Sequence, residues 1–190
     1  MSPPCIETQR LILRHFSTND VNDLMTILGK EDVTRYLAGG GAPTREQTGR
    51  IIARITQHWE EFGYGWWAVT LKENPKVIGW CGLGYLEESD ETELLYMLDV
   101  PHWGKGIASE AAKASLRYAF ESTDLQRVIA LSFPENIASQ KVMEKSGLQF
   151  LNEGAYFGHQ LLCYEILRDL FTPDEETFYK THPVDPRIKH

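Results

Sequence analysis

Cysteine is scarce in this sequence and shows no paired spacing. The three cysteines, Cys5, Cys81 and Cys163, are far apart, and none belongs to a C-x-x-C pair. An odd number of scattered cysteines argues against a disulfide framework, and the missing pairs argue against a zinc site. We therefore expect free thiols in a reducing compartment and a protein that binds no metal.

Long apolar runs are also absent. No stretch approaches the roughly 18 consecutive apolar residues that cross a bilayer. The first seven residues, MSPPCIE, lack the basic start and the apolar core of a secretory signal. The sequence thus predicts no membrane partner and a cytoplasmic location.

Positive charge is in deficit. The 19 Lys and Arg residues are outnumbered by 27 Asp and Glu residues, which gives a formal net charge of -8. The resulting negative field repels phosphate backbones at long range and argues against nucleic acid as a partner. With 190 residues, 42% of them hydrophobic and 24% charged, the composition is that of one ordinary globular domain.

Hydrophobic periodicity and turn signals predict the order of helices and strands. The first half contains a strand at 7–14, a helix at about 21–28, a helix behind the capping box Thr44-Arg45-Glu46-Gln47, and strands at 66–71 and 77–86. The second half contains a strand at 91–100, a helix at 107–122, a strand at 128–133, a helix ending at Ser146, and strands at about 149–153 and 159–168. Strands and helices do not alternate regularly, so the order predicts an α+β fold rather than a doubly wound one.

The end of the chain differs in composition from the rest. The segment 172–190 contains three prolines and many charges, so we expect a poorly ordered or loosely docked extension. We therefore place one domain at residues 1–170 and a polar C-terminal extension at 171–190.

A glycine-rich segment separates the strand at 91–100 from the helix that follows. Gly104, Lys105 and Gly106 lie directly before the predicted helix start at Ile107. Main-chain N–H groups at such a helix start can bind an anion, and glycines allow close approach of the backbone, so the segment predicts a phosphate site. Taken alone, the pattern fits an ordinary turn equally well. It matches neither a P-loop nor a dinucleotide-binding fingerprint.

Four segments in order resemble the GNAT acetyltransferases, in the form found in the ribosomal-protein N-acetyltransferase subgroup. The segment VPHWGKGIA at 100–108 is similar to the family's pyrophosphate motif, and NIASQKVMEKSGL at 136–148 is similar to its second cofactor motif. TQRLILR at 8–14 resembles the subgroup's opening strand, and VIGWCGL at 77–83 its third strand. The resemblance extends over about residues 7–168.

The resemblance implies a mixed, mostly antiparallel sheet with a splayed central strand pair, flanked by helices. It also implies acetyl-CoA as co-substrate, with the pantetheine arm entering between the splayed strands. A main-chain N–H near Leu98 becomes the expected oxyanion donor. The implied cofactor-binding residues are Leu98, Val100, Gly104, Lys105, Gly106, Ile107, Ala108, Ser109 and Asn136.

The same resemblance suggests which residues take part in catalysis. The helix alone favours Ser139 as a polar first-turn residue behind an Asn136 cap. The resemblance favours a catalytic role instead, because Ser139 occupies the family position proposed to meet the departing thiolate. Glu93 is the first candidate for a base, with an exposed strand glutamate as an equal alternative. Tyr96 either orients the acceptor or packs. Met143 stands where many family members carry a tyrosine acid, so that role falls to Ser139, to water or to no group at all.

The predicted function is transfer of acetyl from acetyl-CoA to a primary amine by direct attack in a ternary complex. An α-amine with a pKa of roughly 7.7 to 8.0 needs less help from a base than a lysine amine near 10.4, which favours protein or peptide N-termini as acceptors. Small-molecule amines such as polyamines, amino sugars or antibiotics are the alternative acceptors. A non-catalytic acyl-CoA sensor is a further alternative. We expect a monomer or a homodimer.

Overall fold

The computed structural model describes residues 4–37, 42–174 and 178–187. In this part of the chain it contains nine strands and five α-helices. The strands are β1 Cys5–Thr8, β2 Leu11–Arg14, β3 Trp66–Leu71, β4 Asn74–Leu86, β5 Glu91–Leu98, β6 Arg127–Ser132, β7 Gln149–Tyr156, β8 His159–Leu167 and β9 Tyr179–His182. The helices are α1 Val21–Leu28, α2 Glu31–Thr34, α3 Arg45–Phe62, α4 Ile107–Ser122 and α5 Ile137–Lys145.

All the described strands join one mixed sheet in the order β7-β8-β6-β5-β4-β3-β2-β1-β9. Every neighbouring pair is antiparallel except β5 and β6, which are parallel because α4 crosses between them. The largest fully buried side chains, such as Trp67, Leu83 and Leu116, come from both the strands and α4. The predicted α+β fold with a mostly antiparallel sheet is confirmed.

The central splay is visible in the pairing of β5. Against β4 this strand pairs along its whole length, from Gly79↔Leu98 to Leu86↔Glu91, with no register shift. Against β6 it pairs only at Glu93↔Ile129. On its other edge β6 pairs with β8 along its whole length, so the gap lies between β5 and β6 alone. The expected splay of the central strand pair is therefore present.

The helix α3 forms as its capping box predicts. The Gln47 N–H donates to Thr44 Oγ1 at 3.2 Å, and the Thr44 N–H donates to Gln47 Oε1 at 2.7 Å. Gly63 ends the helix in the left-handed conformation, with φ of 71°. Ile52, Ile55 and Trp59 form its buried face, which leaves the other face for solvent or a ligand.

The opening segment differs from the prediction. The single strand expected at 7–14 is a hairpin in which Ile6 pairs with Leu13 and Glu7 with Ile12. Thr8 Oγ1 accepts a hydrogen bond from the Leu11 N–H at 3.1 Å and so holds the turn. The strand prediction missed the turn because Gln9 and Arg10 are turn residues without Gly, Pro, Asn or Asp.

Part of the predicted polar extension joins the sheet. The strand β9 pairs with β1 from Cys5↔His182 to Thr8↔Tyr179, and His182 Nε2 lies 2.8 Å from Glu7 Oε2. Arg187 donates to the Leu71 carbonyl at 3.1 Å. The expected loose docking is thus wrong for these residues. The segment YKTH has no apolar alternation, and only the open edge of β1 makes it a strand.

Removing the last strand tests how much this edge contributes. A chain that ends at Asp174 should lose on the order of 2 kcal/mol of unfolding free energy, because each net hydrogen bond contributes about 0.5–1.5 kcal/mol. The melting temperature should fall by about 2–4 °C for each kcal/mol. The matched control is Lys180→Ala on the exposed face of β9, which should change little. An unchanged melting temperature after truncation would contradict the structural role of β9.

Candidate active site

A groove of about 1420 Å³ follows the gap between β5 and β6. Its residues come from β5, β6, the start of α4, α5 and the α2–α3 region. Most of the site residues predicted from the sequence line it, namely Glu93, Tyr96, Leu98, Gly104, Gly106, Ile107, Ala108, Ser109, Asn136 and Ser139. Val100 and Lys105 do not line it. The fold thus brings together three segments of the chain, 93–98, 104–109 and 136–139.

The start of α4 is built to receive an anion. Gly104 and Gly106 have φ of 70° and 74°, a conformation that side chains rarely adopt. No side chain caps this end of the 16-residue helix, so the N–H groups of its first turn have no side-chain partner. A Cβ placed on Gly104 meets nothing within 4 Å, so the loop backbone is open to approach. These features fit the diphosphate of acetyl-CoA.

The glycine loop is fixed from the far end of the sheet. Arg10 donates through Nη1 to the Lys105 carbonyl at 2.9 Å and through Nε to Glu110 Oε2 at 2.6 Å. Glu110 also accepts from the Thr8 hydroxyl at 2.6 Å. The turn between β1 and β2 therefore braces the loop and the first turn of α4. Thr8 and Arg10 belong to the segment that resembles the opening strand of the family, but no pattern in the sequence predicts their contacts with Glu110 and Lys105.

Leu98 lines the groove, whereas Val100 does not. The Leu98 carbonyl accepts a hydrogen bond from the Trp103 indole at 2.7 Å, so one of its acceptor sites is used within the protein. Val100 lies in a short 3-10 turn and is 36% exposed. Contacts of these two residues with a pantetheine arm remain predictions.

Glu93 and Tyr96 project from opposite faces of β5, because they are three residues apart in a strand. Tyr96 pairs with Cys81, whose Sγ lies 3.4 Å from Ser115 Oγ of α4, so Tyr96 is on the α4 face. Glu93 shares the other face with Met97, which pairs with Trp80. The gap between β5 and β6 is the place where both faces can be reached.

Tyr96 and Ser139 form a hydrogen-bonded pair. The two hydroxyl oxygens are 2.8 Å apart, and the Tyr96 hydroxyl also lies 2.9 Å from the Ser139 carbonyl. Burial raises the pKa of Tyr96 above its ordinary value of 10.0, so the phenol stays protonated and acts as a donor. Asn136 caps α5 by accepting from the Ser139 N–H at 3.2 Å. Cap and pair together fix the position of Ser139.

The surroundings of Glu93 change its acidity. Burial raises the pKa of this carboxyl from its ordinary value of 4.5 to about 7, although the main-chain N–H of Leu131 stabilises the charged form. Leu131 lies on β6, across the gap. A carboxyl with this pKa can accept a proton near neutral pH. The sequence predicts Glu93 as a site residue, but no sequence pattern predicts that the Leu131 N–H hydrogen-bonds to it. That contact depends on how β6 lies beside β5.

Metal ligands, cysteines and apolar helices were the remaining subjects of prediction. Within residues 4–37, 42–174 and 178–187, no group of three or more His, Cys, Asp or Glu residues could hold a metal ion. The three cysteines are free and buried. None of the described helices combines the length and apolar character that a membrane span requires.

Comparison with known proteins agrees with this geometry. The family model of the acetyltransferase (GNAT) domain matches residues 10–149. An uncharacterized N-acetyltransferase, p20 of Bacillus licheniformis, is 33% identical over 148 residues, which cover 77% of this chain and 82% of that protein.

Solved structures show the same fold. A GNAT-family acetyltransferase from Bacillus anthracis aligns with a TM-score of 0.74 and 27% identity, over 87% of this chain and 99% of that chain. RimL, a ribosomal L7/L12 alpha-N-protein acetyltransferase in complex with coenzyme A, aligns with a TM-score of 0.73 over 87% of this chain and 100% of its own. Its identity of 18% makes this a likeness of fold alone.

Gly106→Val tests the anion site at α4. A β-branched residue is strained at φ of 74°, so the loop should shift and the affinity for coenzyme A should fall at least tenfold. Calorimetric titration with coenzyme A measures this. Gly63→Val, at φ of 71° beyond the end of α3, imposes the same strain away from the loop and should leave affinity unchanged. Wild-type affinity of the folded Gly106→Val protein would refute the site.

Proposed function

Because the chain belongs to the GNAT family of acetyl-CoA-dependent N-acetyltransferases, we propose that its acceptor is the α-amine of a protein or peptide N-terminus. The observation that carries this proposal is the Glu93 carboxyl at the gap, with its pKa raised to about 7. Acetyl-CoA, when bound, supplies the acetyl thioester and the leaving thiol. The residues of the chain bind it, orient the amine and handle the protons.

The choice of acceptor follows from matching proton affinities. An α-amine has a pKa of roughly 7.7 to 8.0, within about one unit of that of Glu93, so transferring its proton to this carboxylate costs little. A lysine amine near 10.4 is about three units above Glu93, so the same transfer costs several kcal/mol. The difference corresponds to more than a hundredfold in the fraction of neutral amine. Glu93 is therefore an adequate base for an N-terminus and a poor one for lysine.

Glu93 and Ser139 lie on opposite faces of β5, an arrangement that suits a ternary complex of enzyme, acetyl-CoA and amine. Glu93 meets the amine on the face that carries Trp80, while Ser139 lies on the α4 and α5 side. Fixing both reactants on either side of one gap turns the attack into an effectively unimolecular step. Main-chain N–H groups of β5 and β6 that the splay leaves without a strand partner are suitable donors to a developing oxyanion.

The hydrogen-bonded pair of Tyr96 and Ser139 assists the departure of the coenzyme A thiolate. Ser139 donates a hydrogen bond to the departing sulfur, and the Tyr96 hydroxyl holds the serine in place by donating to its carbonyl at 2.9 Å and contacting its Oγ at 2.8 Å. Because burial keeps the Tyr96 pKa high, the phenol retains its proton and orients the serine rather than acting as the acid. A thiol with a pKa near 8.5 leaves readily with such assistance. Met143, buried at 1% exposure, contributes only packing.

Small-molecule amines remain the second class of acceptor. The groove of about 1420 Å³ is large enough for an extended peptide beside the cofactor and does not by itself exclude a smaller molecule. A thiol-release assay with acetyl-CoA against N-terminal peptides, polyamines, amino sugars and aminoglycosides decides between them. Turnover of peptides blocked at lysine but free at the N-terminus supports the proposal. Turnover of the small amines alone refutes it.

Ser139→Ala should lower kcat more than it weakens acetyl-CoA binding, because a donor to the sulfur acts as charge develops in the transition state. We expect a loss of about 10²-fold, the lower range of general acid catalysis. Steady-state kinetics with calorimetry measures the two effects. Asn136→Ala is the control, since loss of this cap should cost about 1 kcal/mol of stability. Full kcat in folded Ser139→Ala would exclude the role.

Glu93→Gln should abolish the pH dependence that the base imposes. Wild-type kcat/KM should rise as the pH passes through about 7, where Glu93 loses its proton. The variant should lose about 10²-fold or more and should follow only the titration of the amine. Parallel pH profiles of the two proteins would exclude Glu93 as the base.

The same variant should be more stable than the wild type above neutral pH. The folded protein holds the Glu93 proton more tightly than the unfolded chain, whose carboxyl titrates near 4.5, so wild-type stability falls as the pH rises from about 4.5 to about 7. Glutamine does not titrate and avoids this loss, so the two proteins should have similar free energies of unfolding near pH 4.5. Above pH 7 the variant should gain on the order of 1–3 kcal/mol. Thermal melts across this pH range check the prediction.

A further inference from the structure

Three arginines line the part of the groove that α2 and α3 form. Arg35 follows α2, and Arg50 and Arg54 lie on α3. On α3 the groove-lining residues are Gln47, Arg50, Ile51 and Arg54, whose spacing of i, i+3, i+4 and i+7 defines one helix face. We call these three arginines the arginine wall. No function assigned above uses them.

The arginine wall lies on the face of the sheet that carries Glu93. Four residues beyond Arg54 on the same helix face, the His58 ring contacts Trp66 with centroids 5.1 Å apart. Trp66 pairs with Gly82, which pairs with Leu95, and Leu95 shares the face of Glu93 two residues away. The cofactor loop and Ser139, in contrast, belong to the side of α4 and α5. The arginines therefore lie beside the path of the amine rather than beside the pyrophosphate.

The charges of the wall are available to a ligand. Arg35 pairs with Asp32 at 2.8 Å and Arg50 with Glu46 at 2.6 Å, but both pairs are local and at least half exposed on each side. Exposed pairs of this kind contribute little and exchange readily for a better partner. Among the described residues that α2 and α3 contribute to the groove, the three arginines face one carboxylate, Asp32; Glu46 pairs with Arg50 but does not line the groove, and the other lining carboxylates, Glu93 and Glu135, lie outside α2 and α3. This part of the groove is therefore positive although the chain carries -8 overall.

We propose that the arginine wall binds carboxylate side chains in the first residues of an acidic acceptor polypeptide. This inference rests on the proposed function and narrows it to one class of N-terminus. Arg50 and Arg54 are one helical turn apart, about 6 Å along the axis. Alternate side chains of an extended peptide are separated by about 6.5–7 Å, so carboxylates two residues apart can meet the two guanidinium groups. Guanidinium groups bind carboxylates through paired hydrogen bonds.

The same wall works against polycationic acceptors. Polyamines and aminoglycosides carry several ammonium groups, and those groups would meet positive charge beside Glu93. The overall negative charge of the protein attracts such amines at long range, but close contacts decide binding because screening limits long-range terms to about 10 Å. The wall therefore separates acidic N-termini from the polycationic amines.

The test uses three peptides that share their N-terminal serine and their length. They carry Glu, Gln or Lys at the third and fifth positions, lack other charges and are measured by thiol release at low ionic strength. We expect kcat/KM to be at least tenfold higher for the Glu peptide than for the Gln peptide, and lowest for the Lys peptide. Added salt should reduce the difference.

Charge reversal connects the preference to the wall. The double variant Arg50→Glu and Arg54→Glu should lose or invert the preference and keep wild-type affinity for acetyl-CoA in calorimetry. The matched control is Arg45→Glu, because Arg45 is on the same helix but does not line the groove. It should keep the preference. A melt of each variant confirms that the fold is retained.

Each outcome has a distinct meaning. Equal kcat/KM for the Glu and Gln peptides overturns the acidic preference and leaves N-terminal acetylation standing. If the double variant keeps the preference for the Glu peptide, the arginine wall does not recognise the acceptor and the inference is overturned. If the double variant loses affinity for acetyl-CoA, the arginines contribute to cofactor binding rather than to acceptor recognition, and the inference is overturned as well. Turnover of none of the peptides, with turnover of small amines, refutes the proposed function itself.

Discussion

The separation of β6 from β5 is the constraint on which the rest of the structure depends. The two strands are joined only at Glu93↔Ile129, whereas β6 pairs along its whole length with β8 on its other edge. A continuous sheet would satisfy its own main-chain groups and leave no opening. The splay instead opens a groove through the sheet, keeps the Leu131 N–H next to Glu93 and lets residues on both faces of β5 contribute to one site.

Local electrostatics in the groove differ from the charge of the whole chain. The protein is acidic overall, yet the helix start at Gly106 and the arginine wall present positive charge to the groove. Glu93 lines the same groove, where burial favours its neutral form. We propose the helix start for the diphosphate and the arginine wall for acceptor carboxylates, while the pKa of Glu93 suits proton exchange with an amine.

Rigid support for the site comes from distant parts of the chain. Arg10 and Thr8 converge on Glu110, about a hundred residues later, and Arg10 also holds the Lys105 carbonyl. Such contacts fix the loop before any ligand arrives, which reduces the ordering cost of binding. The strand β9 in turn covers the edge of β1, so the C-terminal segment supports the hairpin from which Arg10 extends.

The sequence by itself determined the features that depend on near neighbours: the capped helix α3, the glycine loop before α4, the helical register of Ser139 and the order of elements that predicts an α+β fold. Those follow from caps, periodicity and φ preferences, which act within a few residues. Only the tertiary structure decided the hairpin at Thr8, the strand at Tyr179, the Tyr96–Ser139 pair and the acidity of Glu93. These features depend on strand partners and on removal from water, and both are set by segments far away in the chain.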